Sequence, residues 1–176
     1  RIGKIGDWAG HIQKLGADGI VAGCLRSDGN LDCVRMKELR KCAEGLTFTL
    51  HRAFDVCLDP YQALEESVSL GVNTILTSGQ ASDCMAGKEV LKKLLALADG
   101  RIEILVGSGV NADVIRQMKE EIHASSFHMS GKRIVDSGMV YRNERVNMGL
   151  PGLSEFEIFR TDGDEIRRAR MVLSSQ

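Results

Sequence analysis

Apolar positions along the chain switch repeatedly between helical spacing and short unbroken runs, so helices and buried strands alternate. Ile2, Ile5, Trp8, Ile12 and Leu15 recur at helical spacing, and Gly16 stops them. Residues 18–25 read as a short buried strand. A turn at Ser27-Asp28-Gly29-Asn30 leads to Asp32, which caps a helix through Ala43. Residues 47–52 form the next strand, and Asp59 with Pro60 opens a helix through Leu70 with Gly71 at its end. Strands follow over 74–78, 101–106 and 125–130. Helices separate them, one over 87–98 closed by Asp99-Gly100, the other from an Asn111 cap to about Glu121. Residues 131–153 are polar and Gly-bearing, without helical period. Residues 155–160 alternate like a strand, and Asp164 opens a basic helix.

About six strand–helix units, spaced roughly 25 to 30 residues apart, predict an α/β fold with a parallel sheet and crossover helices. Every crossover turns with the same hand. No reversal of strand order is marked, which favours a (β/α)8 barrel over an open doubly wound sheet. Such a barrel usually takes about 250 residues. The 176 residues present begin on an orphan helix, so the expectation is one domain over 1–176 that lacks about its first two β/α units. The sheet edges would then lie at 18–25 and 155–160, and unpaired edges invite association or instability.

Composition narrows the partners. A hydrophobic content of 43% is enough for a real core. A formal net charge of −1 gives no long-range attraction to nucleic acid or to an anionic membrane. No apolar run approaches the roughly 20 residues that span a bilayer. The five cysteines are odd in number and form no C-x-x-C pair, which fits free thiols in a reducing, cytoplasmic setting.

The chemistry gathers at strand ends. Residues 47–55, Thr-Phe-Thr-Leu-His-Arg-Ala-Phe-Asp, end a β-rich run in His51, Arg52 and Asp55 just before a helix. That is where α/β proteins place reactive groups. Alternation along the strands turns Phe48, Leu50, Phe127 and Met129 toward the helices, and Thr49, His51, Ser126, His128 and Ser130 toward the axis. Two readings of Arg52 stand side by side. It pairs with Asp55, or it clamps a carboxylate or phosphate while His51, Asp55 or His128 moves a proton. Thr77, Ser78 and Gly79, and the turn Gly107-Ser108-Gly109, are the candidate anion-binding segments. For a metal, Cu(I) prefers thiolate, thioether and imidazole. Cys24, Cys57 and His51 are the candidate ligands. Cys33 and Cys42 read as structural, Cys84 as exposed in a polar loop, and His11 and His123 as without a specific role.

His51-Arg52-Ala53-Phe54-Asp55, Leu76-Thr77-Ser78-Gly79, Gly107-x-Gly109 and Asp136-Ser137-Gly138-Met139 together resemble the CutC family of copper homeostasis proteins. Leu15-Gly16-Ala17-Asp18-Gly19 and the closing Thr161-Asp162 plus helix extend the likeness over almost the whole chain. The resemblance implies a cytosolic (β/α)8 barrel, often self-associated in its full-length form and linked to copper (Cu+) tolerance or binding. The family's first two strands have no counterpart here. Its usual Gly-Gly-Gly after the sixth strand reads Gly107-Ser108-Gly109. A copper-binding protein and a barrel enzyme for a small anionic substrate are the two functions that follow.

Overall fold

Five short strands run parallel and lie side by side in chain order: β1 (Gly19–Ala22), β2 (Thr47–Leu50), β3 (Thr74–Thr77), β4 (Glu103–Val106) and β5 (Ser126–Phe127). A sheet that never reverses its strand order is the wall of a barrel. The computed structural model describes residues 15–143, 145–146 and 154–175. The helical spacing of Ile2, Ile5, Trp8 and Ile12, and His11 with it, lies outside them. Each crossover is a helix: α1 (Cys33–Cys42), α2 (Pro60–Ser69), α3 (Lys88–Ala98) and α4 (Ala112–Ile122).

The helices start where short polar side chains take up free backbone N–H groups. Asp32 accepts from Arg35 N–H, Asp59 from Tyr61 and Gln62, and Asn111 from Asp113 and Val114. Alternation along the strands then builds the core. Phe48, Leu50, Ile75, Ile104 and Val106 are buried on the helix side against Met36, Leu64, Leu91, Leu94 and Met118. Each such side chain contributes about 1.5–3 kcal/mol of burial. The axis side differs: Val21 is 63% exposed, and Thr49, Leu76 and Leu105 are half-buried. At the start of β3, β4 and β5, Thr74 and Ser126 hydroxyls donate to the two oxygens of Glu103, at 2.8 and 2.6 Å.

Two expectations are corrected. The segment 155–160 does not extend the parallel sheet. It lies in β7 (Glu157–Thr161), antiparallel to β6 (Lys132–Asp136), in a separate two-stranded ribbon. Among the described residues the edges of the parallel sheet are therefore β1 and β5. β6 and its pairing with β7 escape sequence reading because the ribbon has no deeply buried face, so β6 carries only Ile134 and Val135 as apolar residues. The strand expected over 47–52 also ends early, at Leu50, because Arg52–Val56 winds into a 3₁₀ turn.

The closing helix, α5 (Gly163–Ser174), is capped by Asp162 rather than opened at Asp164. It lies beside α4, and the two helices cap one another. Glu165, in the first turn of α5, accepts from Ala112 N–H at 2.9 Å. Lys119 of α4 donates to the Val172, Leu173 and Ser175 carbonyls at 2.9, 3.2 and 2.8 Å. A cation on the last carbonyls of a helix stabilises it by about 0.3–1 kcal/mol. Lys119→Ala is therefore expected to speed amide hydrogen exchange in the last turn of α5 and leave β3 and β4 unchanged. Uniform protection in both proteins would refute the capping role.

Candidate functional site

The site begins where β2 stops. His51 has extended backbone and caps the 3₁₀ turn, its Nδ1 accepting from Ala53 N–H at 3.1 Å. Phe54, fully buried, pins the turn to the core. The turn sets Arg52 and Asp55 side by side, with Nε donating to Oδ2 at 2.6 Å. Asp55 then reaches across to the tip of β3. Its carboxylate accepts from Thr77 Oγ1 at 2.5 Å, from Ser78 N–H at 3.0 Å, from Ser78 Oγ at 3.1 Å and from Gln80 N–H at 3.2 Å. Burial alone would push the Asp55 carboxyl up. The hydrogen bonds from Thr77, Arg52, Ser78 and Gln80 more than reverse it and hold the group below the usual carboxylate range.

The tip of β3 thus binds an anion, and the anion is Asp55. Ser78 spends its N–H there, and Gly79 N–H donates to Thr77 Oγ1 at 2.9 Å. The loop closes tightly behind them: a Cβ on Gly79 would lie 2.3 Å from the Gly87 carbonyl oxygen. Gly79 also holds φ +75, so glycine is required there on both grounds. With Thr77, Ser78 and Gln80 donating to it, Asp55 acts as an anchor for Arg52.

Arg52 has donors to spare. Nε is committed to Asp55 and one Nη2 hydrogen to Ser78 Oγ at 2.8 Å, which leaves the outer Nη1–Nη2 edge unused. A cavity of about 510 Å³ opens beside it, lined also by Leu76, Ser108, Gly109, His128 and Lys132. Of the two histidines expected at the mouth, His128 lines this cavity and His51 does not. Gly107 packs against Leu76 at the base of the turn, where a Cβ would meet Leu76 Cδ1 at 2.7 Å. Ser108 occupies the left-handed region at φ +73, and its Oγ donates to the Ser82 carbonyl at 2.9 Å. No acceptor among the described residues takes the N–H groups of Ser108, Gly109 or Val110.

The two candidate thiols have different charged neighbours, Asp32 at Cys24 and Asp59 at Cys57. Cys57 is buried, with Gln80 Nε2 donating to its Sγ at 3.4 Å. Burial first, and the Asp59 charge second, push its thiol up to about 11. Cys24 is also raised, by burial and then by Asp32. Both therefore favour S–H over the thiolate that copper requires. His51 has Nδ1 committed to Ala53, which leaves a protonated Nε2. Among the described residues no three His, Cys, Asp or Glu side chains are grouped to hold a metal ion. Cys84, expected to be exposed, is fully buried, because its polar loop folds back onto the β4 tip with Cys84 N–H on the Ser108 carbonyl.

The CutC family model matches residues 5–133. The chain belongs to the CutC family. A CutC family protein of Parabacteroides distasonis is 45% identical over 156 residues, covering 88% of this chain and 64% of that protein. A Bacteroides thetaiotaomicron CutC family protein is 47% identical over 137 residues, covering 78% and 55%. The chain thus spans less than two thirds of the length of these relatives. A solved structure from Streptococcus agalactiae, named as a candidate copper homeostasis protein CutC, aligns with a TM-score of 0.66 at 28% identity. It covers 70% of this chain and 60% of that one. A mandelate oxidase aligns with a TM-score of 0.55 at 15% identity, a likeness of fold alone. The architecture is an α/β partial barrel of the CutC type.

Sequence reasoning missed Gln80, Lys132 and Glu165. Gln80, at φ +58, follows the Thr-Ser-Gly motif of this CutC chain by one residue, so the motif itself was the signal. Lys132 and Glu165 sit in the ribbon and in α5, and nothing local marks either. Because Asp55 is held below its unfolded value near 3.9, it contributes stability that is full above about pH 4 and is lost as pH falls through the folded value. Asp55→Asn is expected to cost about 2 kcal/mol at pH 7. The gap from the parent should narrow toward pH 2 in urea titrations. A pH-independent gap would show that the charge contributes nothing.

Proposed function

We propose that the mouth of this CutC family barrel binds a small organic anion and moves a proton on it, with Arg52 as anion holder and His128 as the proton-transfer group. The observation that carries this is the Arg52 guanidinium, fixed from behind by Asp55 and Ser78 with its outer edge unused, on the same cavity as His128. A fixed guanidinium fork matches a carboxylate or phosphate in geometry as well as in charge. Lys132 adds a second positive charge, and the unengaged N–H groups of the Gly-Ser-Gly turn add donors. Leu76 supplies an apolar wall against which the ligand carbon frame would pack. Asp55 is a positioning residue in this reading, and His51 shapes the turn that presents both.

Copper handling, the role in the streptococcal relative's name, is the second reading. The raised thiols of Cys24 and Cys57 count against it. The five free thiols do support a reducing, cytosolic setting, and no helix among the described residues is long and apolar enough to cross a membrane.

Two measurements test these statements. Arg52→Lys keeps the charge but loses the fork, and is expected to weaken binding of inorganic phosphate and butyrate about ten-fold, the equivalent of one charge-assisted hydrogen bond. Equal affinity in both proteins, or no binding by the parent, would overturn the anion site. In an anaerobic Cu(I) competition titration, the Cys24→Ser, Cys57→Ser double variant is expected to match the parent. A loss of affinity would return copper to these thiols.

A further inference from the structure

The charged residues on the cavity lining are Arg52, Lys132 and Glu165, and their charges do not cancel. Glu165 pairs with Arg168 at 2.9 Å, and Asp113 pairs with Arg116 at 3.0 Å, so two carboxylates and two guanidiniums balance there. Arg52 is balanced by Asp55. Lys132 is left over: its ammonium lies 4.5 Å from the Phe159 ring centroid, and no carboxylate among the described residues pairs with it. Donors are in excess too. The Ser108, Gly109 and Val110 N–H groups have no acceptor among the described residues. Their turn is held from behind, as Arg52 is. Ser108 Oγ donates to the Ser82 carbonyl at 2.9 Å, and Cys84 N–H to the Ser108 carbonyl at 3.1 Å. Ser78, which holds Arg52, donates to the Ala81 carbonyl at 2.7 Å, so the loop over 80–87 fixes both sets of donors. Asp83 of that loop is off the lining, its oxygens accepting from Ala86 N–H at 2.9 Å and Ser82 Oγ at 3.3 Å.

We infer that the ligand is a small phosphate monoester in its dianionic form, and that Lys132 selects it over singly charged anions. This rests on the anion-site reading and deepens it. The outer edge of Arg52 serves two oxygens, which is all a carboxylate has. A phosphate monoester brings a third, for which Lys132 and the Gly-Ser-Gly turn supply donors. Its second ionisation falls near pH 6, so it carries close to two charges at neutral pH. Attraction to a fixed charge grows in proportion to ligand charge, so Lys132 stabilises a dianion twice as much as a monoanion. Leu76 and Met129 give the ester's carbon frame an apolar surface. The first N–H groups of α4 take no part, since Glu165 and Asn111 already accept from Ala112, Asp113 and Val114.

The test uses the full chain at pH 8.5 and constant ionic strength, followed by calorimetry. The probes are butyl phosphate (a dianion), its methyl diester (a monoanion with the same butyl frame) and inorganic phosphate. The parent should bind butyl phosphate about ten-fold more tightly than either of the others. Lys132→Gln is expected to weaken butyl phosphate about ten-fold and the diester about three-fold, the first factor being roughly the square of the second. Lys132→Arg, which keeps the charge, should keep the preference of the parent. Equal losses for the two esters in Lys132→Gln, no loss, or a parent that binds the diester or inorganic phosphate as tightly as butyl phosphate would overturn the inference while leaving the Arg52 site standing. Failure of both esters to depend on Arg52 would overturn both.

Discussion

The structure of the site depends on one buried carboxylate. Asp55 joins the end of β2 to the end of β3 by taking N–H groups from Ser78 and Gln80 and hydroxyls from Thr77 and Ser78. The Thr77 hydroxyl and the Ser78 and Gln80 N–H groups lie at a strand tip where the sheet ladder has run out, so without Asp55 they would lose their acceptor, at about 1–3 kcal/mol for each buried donor, whereas the Ser78 hydroxyl would keep the Ala81 carbonyl at 2.7 Å. The same carboxylate fixes the Nε of Arg52. An exposed arginine would lose rotamer freedom on binding a ligand. Here much of that loss is already met by the fold, which is the sense in which the guanidinium is preorganised.

This arrangement resolves the two readings of Arg52 that the sequence leaves open. Pairing with Asp55 and holding an external anion are compatible, because a guanidinium has more donors than one carboxylate and one hydroxyl consume. It also separates residues that the motif lists together. Thr77, Ser78 and Gly79 serve the internal anion, whereas Ser108 and Gly109 face the cavity. His51 and His128 divide in the same way, one as a cap and the other on the lining.

The parallel sheet was legible because its strands are apolar runs punctuated by capping residues, and Asp32, Asp59 and Asn111 each cap the helix they were expected to open. Of the ribbon only β7 was legible, from the alternation over 155–160, since β6 is exposed except at Val135 and carries no burial pattern. The helix over 163–174 was seen but its partner was not. Neither Glu165 nor Lys119 differs locally from any other charged residue on a solvated helix. Their roles appear only when α4 and α5 lie alongside each other, with a separation of more than fifty residues along the chain. Likewise nothing in the sequence shows that burial, with neighbouring Asp59 and Asp32, raises the thiols of Cys57 and Cys24.

The anchored part of the site is local to the sheet interior. Arg52, Asp55, Thr77, Ser78 and Gln80 all come from β2, β3 and the segments directly after them, and β2 and β3 each have a parallel neighbour on both sides. Their geometry therefore does not rest on the edge strands β1 and β5. The cavity is different. His128 follows the two-residue β5, and Lys132 and Glu165 enter from the ribbon and from α5, elements held to the barrel by the mutual caps of α4 and α5 and by the Asp162 N–H on the Gly131 carbonyl. A rigid anion holder thus faces a wall that is built from the less deeply packed end of the fold. In such a division the holder sets whether an anion binds, and the wall sets which one.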